Sequence, residues 1–60
     1  MFKQINENTL VNVNAVIKIE DIGIDEKNGK NYCRIFLING DPSGIGIEGT
    51  LQEVENYLTK

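Results

Sequence analysis

A chain of 60 residues with a formal net charge of −3 makes one small domain, residues 1–60. A domain of this size buries only about 60% of the surface of its unfolded chain, so disulfides, a metal or a partner subunit usually stabilise it. Cys33 is the single cysteine and histidine is absent, which excludes an internal disulfide and a cysteine/histidine zinc site. A second copy of the chain is the remaining means of stabilisation, and we therefore expect a homodimer.

The first part of the chain predicts strands. Residues 2–5 predict a short first strand. From Thr9 onward, apolar residues alternate with mostly polar ones, and the phase of this alternation shifts after Glu20. The pattern is typical of one half-buried strand with a bulge at the phase shift. A tight turn at residues 12–15 would instead divide residues 9–24 into two strands, and both arrangements stay open.

A hairpin is predicted next, because Asn28-Gly29 supplies the two positive-φ residues of a type I′ turn. The return strand, residues 31–38, carries apolar side chains at odd and even positions alike. It is therefore predicted to be a central strand covered on both faces. Cys33 takes an inward position on this strand. Without a histidine to activate its thiol, we interpret it as a small buried apolar residue.

The stretch from Gly44 to Gly49 has the spacing G-x-G-x-x-G. A dinucleotide site needs a long helix and a second parallel strand after this motif, and only eleven residues follow Gly49. A Walker A loop needs a lysine before Thr50, and there is none. We interpret the stretch as a short strand bearing Ile45 and Ile47, whose glycines permit the close approach of another backbone. No nucleotide and no other cofactor is predicted.

The last segment predicts a short amphipathic helix. Thr50 and Glu53 have the spacing of a capping box. An apolar stripe follows at helical spacing, formed by Leu51, Val54 and Leu58 and flanked by Tyr57. The predicted fold is α+β, in the order β-β-β-β-α: a small antiparallel sheet of three to five strands with one C-terminal amphipathic helix packed on it.

The charged residues argue against catalysis, metal binding and phosphate binding. The acidic positions Asp21, Asp25, Glu26 and Asp41 lack the spacing of an EF-hand loop, so we expect solvated carboxylates and no metal. No nucleophile with an activating base is evident, and we expect no enzyme. Residues 41–60 hold four acidic residues and one basic residue, whereas residues 1–40 are balanced. This distribution disfavours contact with a nucleic-acid backbone.

An interface is the remaining kind of site. Tyr32, Arg34 and Phe36 alternate on one face of the return strand. These residue types suit either a protein partner or a stacking platform for single-stranded nucleic acid. The small number of basic residues and the absence of an RNP1-like pattern favour a protein. The glycine-bearing last strand is predicted to be an edge that pairs across a dimer axis. The predicted partner or dimer interface comprises Ile45, Ile47, Tyr32, Arg34, Phe36 and Tyr57.

A resemblance to a known family covers residues 9–58. It is carried by turn asparagines, strand residues and a Glu-Val pair in the last helix, at Val13, Asn14, Ile17, Glu20, Asn39, Gly40, Glu53 and Val54. In this order they resemble the small flagellar FlbD (SwrD-like) family, from which residues 41–44 and the longer hairpin at residues 27–30 depart. The resemblance implies strands followed by a helix and a bacterial or phage origin. Residues 11–17 are also similar to part of LytTR-type domains, which are longer and more basic, so DNA binding does not carry over.

These observations lead to a functional hypothesis. The first residues lack the apolar segment of a signal peptide, no run is long enough to cross a membrane, and a lone cysteine fits a reducing bacterial cytoplasm. We expect a homodimeric, non-enzymatic module that occupies a partner protein, such as a phage- or mobile-element-encoded inhibitor of a bacterial defence protein. The alternatives are a FlbD-like flagellar or regulatory accessory protein and a small nucleic-acid-binding β-domain.

Overall fold

Five strands precede one helix in a computed structural model that describes residues 1–60. The elements are β1 (Phe2–Asn6), β2 (Thr9–Asn12), β3 (Val16–Ile24), β4 (Asn31–Leu37), β5 (Ile45–Glu48) and α1 (Leu51–Thr59). The strands form two antiparallel sheets, a β1-β2 hairpin and a three-stranded sheet in the order β3-β4-β5. The predicted α+β class, with a C-terminal helix packed on a sheet, is confirmed, although the strands divide into two sheets rather than one.

Both arrangements considered for residues 9–24 occur in the structure. A 3-10 helix at Val13–Ala15 separates β2 from β3, and the side chain of Asn12 accepts a hydrogen bond from the backbone N–H of Asn14 at its start. Farther along, the register of β3 against β4 shifts between Asp21 and Gly23, so β3 is also bulged. The Asp21 carboxylate accepts the Gly23 N–H at 3.0 Å and so supports this bulge.

The turn between β3 and β4 differs from the predicted type I′ turn. Gly29 has a φ of 71°, but Asn28 is not in the positive-φ region that this turn requires. Instead, the Gly29 N–H donates to the Asp25 carbonyl at 2.7 Å. The side chains of Asp25 and Asn28 each accept a backbone N–H two residues ahead, from Lys27 and Lys30. Such side-chain hydrogen bonds favour a wider loop than a two-residue turn.

Six side chains form the buried core between the three-stranded sheet, the hairpin and the helix: Val11, Cys33, Ile35, Ile47, Val54 and Leu58. On α1, Val54 and Leu58 face this core as predicted, whereas Leu51 is 45% exposed. The buried stripe of the helix is therefore narrower than the sequence pattern indicated. Thr50 and Glu53 do form the predicted capping box, each side chain accepting the backbone N–H of the other residue.

Strand β4 is central, as predicted, but it is covered on one face only. Cys33 and Ile35 are 0% exposed on the face toward the core. On the other face, Arg34 is exposed and its neighbours Tyr32 and Phe36 are half-buried. The prediction of two covered faces was wrong because α1 packs on the core side, and no second element lies on the opposite side. The helix has nine residues, and no helix in the structure has the length and apolar character needed to cross a membrane.

Candidate functional site

The open side of the three-stranded sheet is the candidate site, and we call it the outer face. Side chains alternate between the two faces of a strand, and residues directly opposite one another on paired strands share a face. The pairs Lys18–Phe36, Glu20–Arg34, Arg34–Gly46 and Tyr32–Glu48 therefore all lie on the outer face. Thus Tyr32, Arg34 and Phe36, which were predicted to share one face, lie together there and away from the core.

One end of the outer face is organised around Phe36. The Nζ atom of Lys18 lies 4.4 Å from the centroid of the Phe36 ring, within the range of a cation–π contact. The same Nζ atom is 3.4 Å from Oε2 of Glu20. Lys18 therefore holds its charge between an aromatic ring and a carboxylate, and its aliphatic stem can cover part of the ring. The sequence pattern did not single out this lysine.

In the middle of the face, Arg34 lies against the loop before β5. A Cβ atom on Gly44 would be 2.5 Å from Cγ of Arg34 and 2.9 Å from the Ile35 carbonyl oxygen, and Gly44 has a φ of +76°. This glycine therefore provides the close approach that the motif predicted, and the approaching backbone is that of β4. At Gly46, by contrast, a Cβ would meet nothing within 4 Å, so the outer face is bare beside Arg34.

The other end of the face is polar. The side chain of Asn28 donates a hydrogen bond to the Tyr32 hydroxyl at 3.1 Å. Nearby, Nζ of Lys30 lies 3.6 Å from Oε1 of Glu48. Both ion pairs of the structure, Lys18–Glu20 and Lys30–Glu48, thus flank the Tyr32–Arg34–Phe36 row.

The two isoleucines of β5 lie on the core side of the sheet. Ile47 is opposite Cys33 and is 7% exposed, as part of the core. Ile45 is opposite Ile35 and is half-buried against the same cluster. Strand β5 is an edge of its sheet, as predicted. The Ile47 side chain, however, is covered by its own chain, so a partner at this edge would meet mainly the backbone.

Tyr57 joins α1 to the N-terminal hairpin. Its hydroxyl donates a hydrogen bond to the carbonyl of Gln4, and its ring centroid lies 5.1 Å from Nζ of Lys3. A cleft of about 320 Å³ lies between β1 and β5 beside this contact, lined by Gln4, Ile5, Ile47, Glu48, Glu53, Val54 and Tyr57. Of the residues predicted for an interface, Tyr57 is therefore engaged within the chain, on α1, and is not part of the outer-face row.

The sequence pattern missed the isoleucines of β3. Ile17, Ile22 and Ile24 are 66%, 48% and 67% exposed. The alternation placed Ile17 with the buried residues of the preceding run, but the register of β3 shifts between Val16 and Lys18 and leaves Ile17 outside the regular pairing. The change of phase along residues 9–24 was the only sign of this outcome.

The buried thiol is unsuited to nucleophilic chemistry. Cys33 is 0% exposed, and its Sγ donates to the Gly49 carbonyl at 3.3 Å. Burial raises the pKa of the Cys33 thiol, and the nearby carboxylates of Asp21 and Glu53 act in the same direction. Because the thiolate is the reactive form, a protonated and inaccessible thiol is a poor nucleophile. The interpretation of Cys33 as a small buried apolar residue is confirmed.

Two acidic side chains stabilise local backbone structure, Asp21 at the bulge of β3 and Asp41 in the loop before β5. Hydrogen bonds from the Asn31 side chain and the Gly23 N–H lower the pKa of Asp21. Hydrogen bonds from the hydroxyl and the N–H of Ser43 likewise lower the pKa of Asp41. No three side chains of the metal-binding types come together in the structure. What the structure does bring together is the aromatic and charged row of the outer face.

Comparison with known proteins leaves this surface as the main guide to function. No protein-family model, no curated protein and no solved structure matches the chain.

Proposed function

We propose that this chain is a non-enzymatic protein-binding module, a homodimer that acts by occupying a surface of another protein. The observation that carries the proposal is the distribution of the apolar side chains. Nine large ones are between 41% and 67% exposed, whereas six residues form the buried core. Three of the nine, Ile17, Ile22 and Ile24, lie along one strand, β3, and contiguous exposed apolar surface is typical of association sites. The chain therefore has more apolar surface available for contacts with other molecules than its own fold uses.

The outer face is the proposed contact with the other protein. Its central row consists of Tyr32, Arg34 and Phe36, and tyrosine and arginine are the residue types that most often dominate the binding energy of interfaces. Tyr32 and Phe36 are half-buried, and each is held by a neighbour, so little side-chain freedom remains to be lost on binding.

Charge indicates what kind of surface fits this face. Each outer-face glutamate is paired with a lysine, which leaves the Arg34 guanidinium as an additional positive charge. The face is thus locally positive on a chain whose net charge is −3. We infer a protein partner that presents an acidic side chain within an apolar surface, because complementary charges favour specific and rapid association.

The Tyr32–Phe36 row also favours a second candidate, a platform for single-stranded nucleic acid on which bases stack. The charges support it less well. Both lysines near the row are neutralised by glutamates, so Arg34 is the main group left for phosphates. Nucleic-acid affinity depends on neutralising several phosphates, and we therefore favour a protein partner.

The proposal also includes the cellular location and the origin of the chain. We propose a cytoplasmic location in a bacterial cell, which a free and buried cysteine supports. The small size and the acidic charge support an inhibitor carried by a phage or mobile element. The FlbD-like alternative differs in the identity of the partner and not in the kind of surface used.

Site-specific photo-crosslinking tests the proposed contact. A photoreactive phenylalanine analogue would replace Phe36 on the outer face or, as a matched control, Leu51 on α1, which is 45% exposed on another side of the molecule. After illumination of cells that carry the gene, we expect adducts with a protein other than a second copy of this chain from position 36 and not from position 51. Equal adducts from both positions, or none from position 36, would contradict the proposal. Binding of single-stranded DNA that falls steeply with salt would support the second candidate instead.

A further inference from the structure

Strand β3 is one of the two edges of the three-stranded sheet. It is the longest strand, with nine residues, and the order β3-β4-β5 leaves it without a neighbour on one side. Three exposed isoleucines lie along it, Ile17, Ile22 and Ile24. An unpaired strand with apolar side chains presents free backbone N–H and C=O groups and is ready to pair with another strand.

Two register shifts leave a short regular segment in the middle of this edge. They lie between Val16 and Lys18 and between Asp21 and Gly23. Between them, residues 18–21 pair one to one with residues 36–33 of β4. An additional strand can therefore pair regularly with this segment, and Ile17 and Ile22 lie at its two ends.

We propose that this segment pairs in antiparallel fashion with β3 of a second copy of the chain, about a twofold axis at Ile19. In this register, Lys18 lies opposite the partner's Glu20, and Glu20 lies opposite the partner's Lys18. The inference deepens the proposed function, because it rests on the homodimer and assigns its interface and register.

The charges of the segment select this register. In a symmetric antiparallel pair, the residue on the twofold axis lies opposite its own copy. An axis at Lys18, Glu20 or Asp21 therefore sets two like charges directly against each other, which destabilises a pair of strands. An axis at Ile19 sets apolar residues against each other and gives two reciprocal pairs of opposite charge. Lys18 and Glu20 already lie on the same face, 3.4 Å apart, so the four charges of the dimer form one cluster.

The same register uses the apolar residues at the ends of the segment. Continued beyond the segment, the register sets Ile22 of one copy opposite the partner's Val16 and Ile17 opposite the partner's Asp21, and each pair occurs twice because of the twofold symmetry. The two three-stranded sheets become one six-stranded sheet, and the outer faces of both copies lie side by side. The dimer thereby covers part of the exposed apolar surface and joins the two proposed contact faces into one larger surface.

The other edge, β5, is less suited to this role. It has four residues, and the register places both of its isoleucines on the core side. On its open side lies the cleft that β1 and Tyr57 also line. The exposed residues of β5 are Gly46 and Glu48, so it offers no pair of opposite charges that selects a register.

Charge reversal tests the register in solution. Sedimentation equilibrium would give the dissociation constant of the dimer for the wild type, Glu20→Lys and the double swap Lys18→Glu/Glu20→Lys. Glu20→Lys sets two lysines against each other twice, and we expect the dissociation constant to rise about tenfold or more. The double swap restores opposite charges across the axis, and we expect it to return the constant to about the wild-type value.

A matched control is Glu48→Lys. Glu48 belongs to the Lys30–Glu48 pair, whose side chains are exposed to nearly the same extent as those of Lys18 and Glu20. This change alters the net charge by the same amount as Glu20→Lys but lies away from β3. We expect an unchanged dissociation constant. Circular dichroism of each variant verifies that the chain remains folded.

Three outcomes would overturn the inference. The first is a wild-type chain that stays monomeric at about 100 μM, because a specific interface of this kind should associate more tightly than that. The second is a folded Glu20→Lys variant that dimerises like the wild type. The third is a double swap that dimerises as weakly as the single variant. None of them decides the proposed contact with another protein. Crosslinking from position 36 is measured separately. A chain that still forms this crosslink keeps the proposed partner contact; a monomeric wild type then overturns the homodimer and its register, and either of the other two outcomes overturns the register alone.

Discussion

The isoleucines of the two sheet edges have opposite environments. On β5, Ile47 is 7% exposed and Ile45 is half-buried, whereas on β3 both Ile17 and Ile24 are more than 60% exposed. The residue type and the edge position are the same, so neither explains the difference. The register does. The short β5 pairs regularly and directs both of its isoleucines toward the core, as the regular segment of β3 does with Ile19. The two register shifts of β3 leave Ile17 and Ile22 outside the regular pairing, and Ile24 pairs with Asn31 at the end of the strand.

This difference shows which part of the surface is available for contacts. The isoleucines of β5 stabilise the fold, as Val16 and Ile19 of β3 do, whereas Ile17, Ile22 and Ile24 of β3 are exposed. Side-chain substitutions at the two edges should therefore have different effects on the stability of the fold, and three measurements test this difference.

The largest expected effect is on the core-facing isoleucine of β5. Ile47→Ala removes buried methyl groups opposite Cys33, and we expect it to lower the free energy of unfolding by about 2–5 kcal/mol. In a small domain of marginal stability, this loss unfolds much of the population. The matched change Ile24→Ala on β3, where the side chain is 67% exposed, should cost less than about 0.5 kcal/mol. Urea titration followed by circular dichroism measures both, and similar losses at the two sites would contradict the assignment of the edges.

The next effect concerns the glycines next to and within β5. Gly44→Ala places a Cβ 2.5 Å from Cγ of Arg34 and 2.9 Å from the Ile35 carbonyl oxygen, at a φ of +76°, and we expect a loss of about 1–3 kcal/mol. Gly46→Ala meets nothing within 4 Å and should be neutral or stabilising by up to about 1 kcal/mol. Thermal unfolding of the two variants is a direct comparison. If Gly46→Ala proves the more damaging, β5 does not have the geometry described above.

The smallest effect is the dependence of stability on pH. The pKa values of Asp21 on β3 and Asp41 before β5 are lowered from the usual 3.8 by hydrogen bonds. Each carboxylate therefore contributes stability that is present above pH 3.8 and is lost as the pH falls through its lowered pKa. Asp21→Asn and Asp41→Asn should both make the free energy of unfolding fall less steeply on acidification. Urea titrations at several pH values below about 5 measure the slopes, and slopes as steep as that of the wild type would contradict these hydrogen bonds.

Local patterns predicted much of the fold. The capping box at Thr50 and the division near Asn12 depend on neighbours within a few residues, and both are found in the structure. The burial of Cys33 was predicted from the alternation along its strand, although residues that cover it, such as Ile47, come from elsewhere in the chain. The hairpin between β3 and β4 was predicted correctly, but its turn type was not, because the hydrogen bonds of Asp25 compete with a two-residue turn.

The candidate site was predicted only in part. The alternation of Tyr32, Arg34 and Phe36 correctly placed them on one face, because strand periodicity determines it. That this face stays open depends on where α1 packs, which is a long-range property. The exposure of Ile17 and Ile22 depends on bulges, which a hydrophobic pattern shows only as a change of phase.

The contact between Tyr57 and Gln4 also affects when the chain can fold during its synthesis. The two residues are 53 positions apart in sequence, and the core includes Val11 from the hairpin together with Leu58 from the helix. On the ribosome, the first hairpin therefore emerges well before the residues that cover it, and the core closes only when α1 has been synthesised. Contacts of such long sequence separation slow folding. The nascent chain thus keeps apolar strands exposed during this interval, when early pairing with other chains is most harmful.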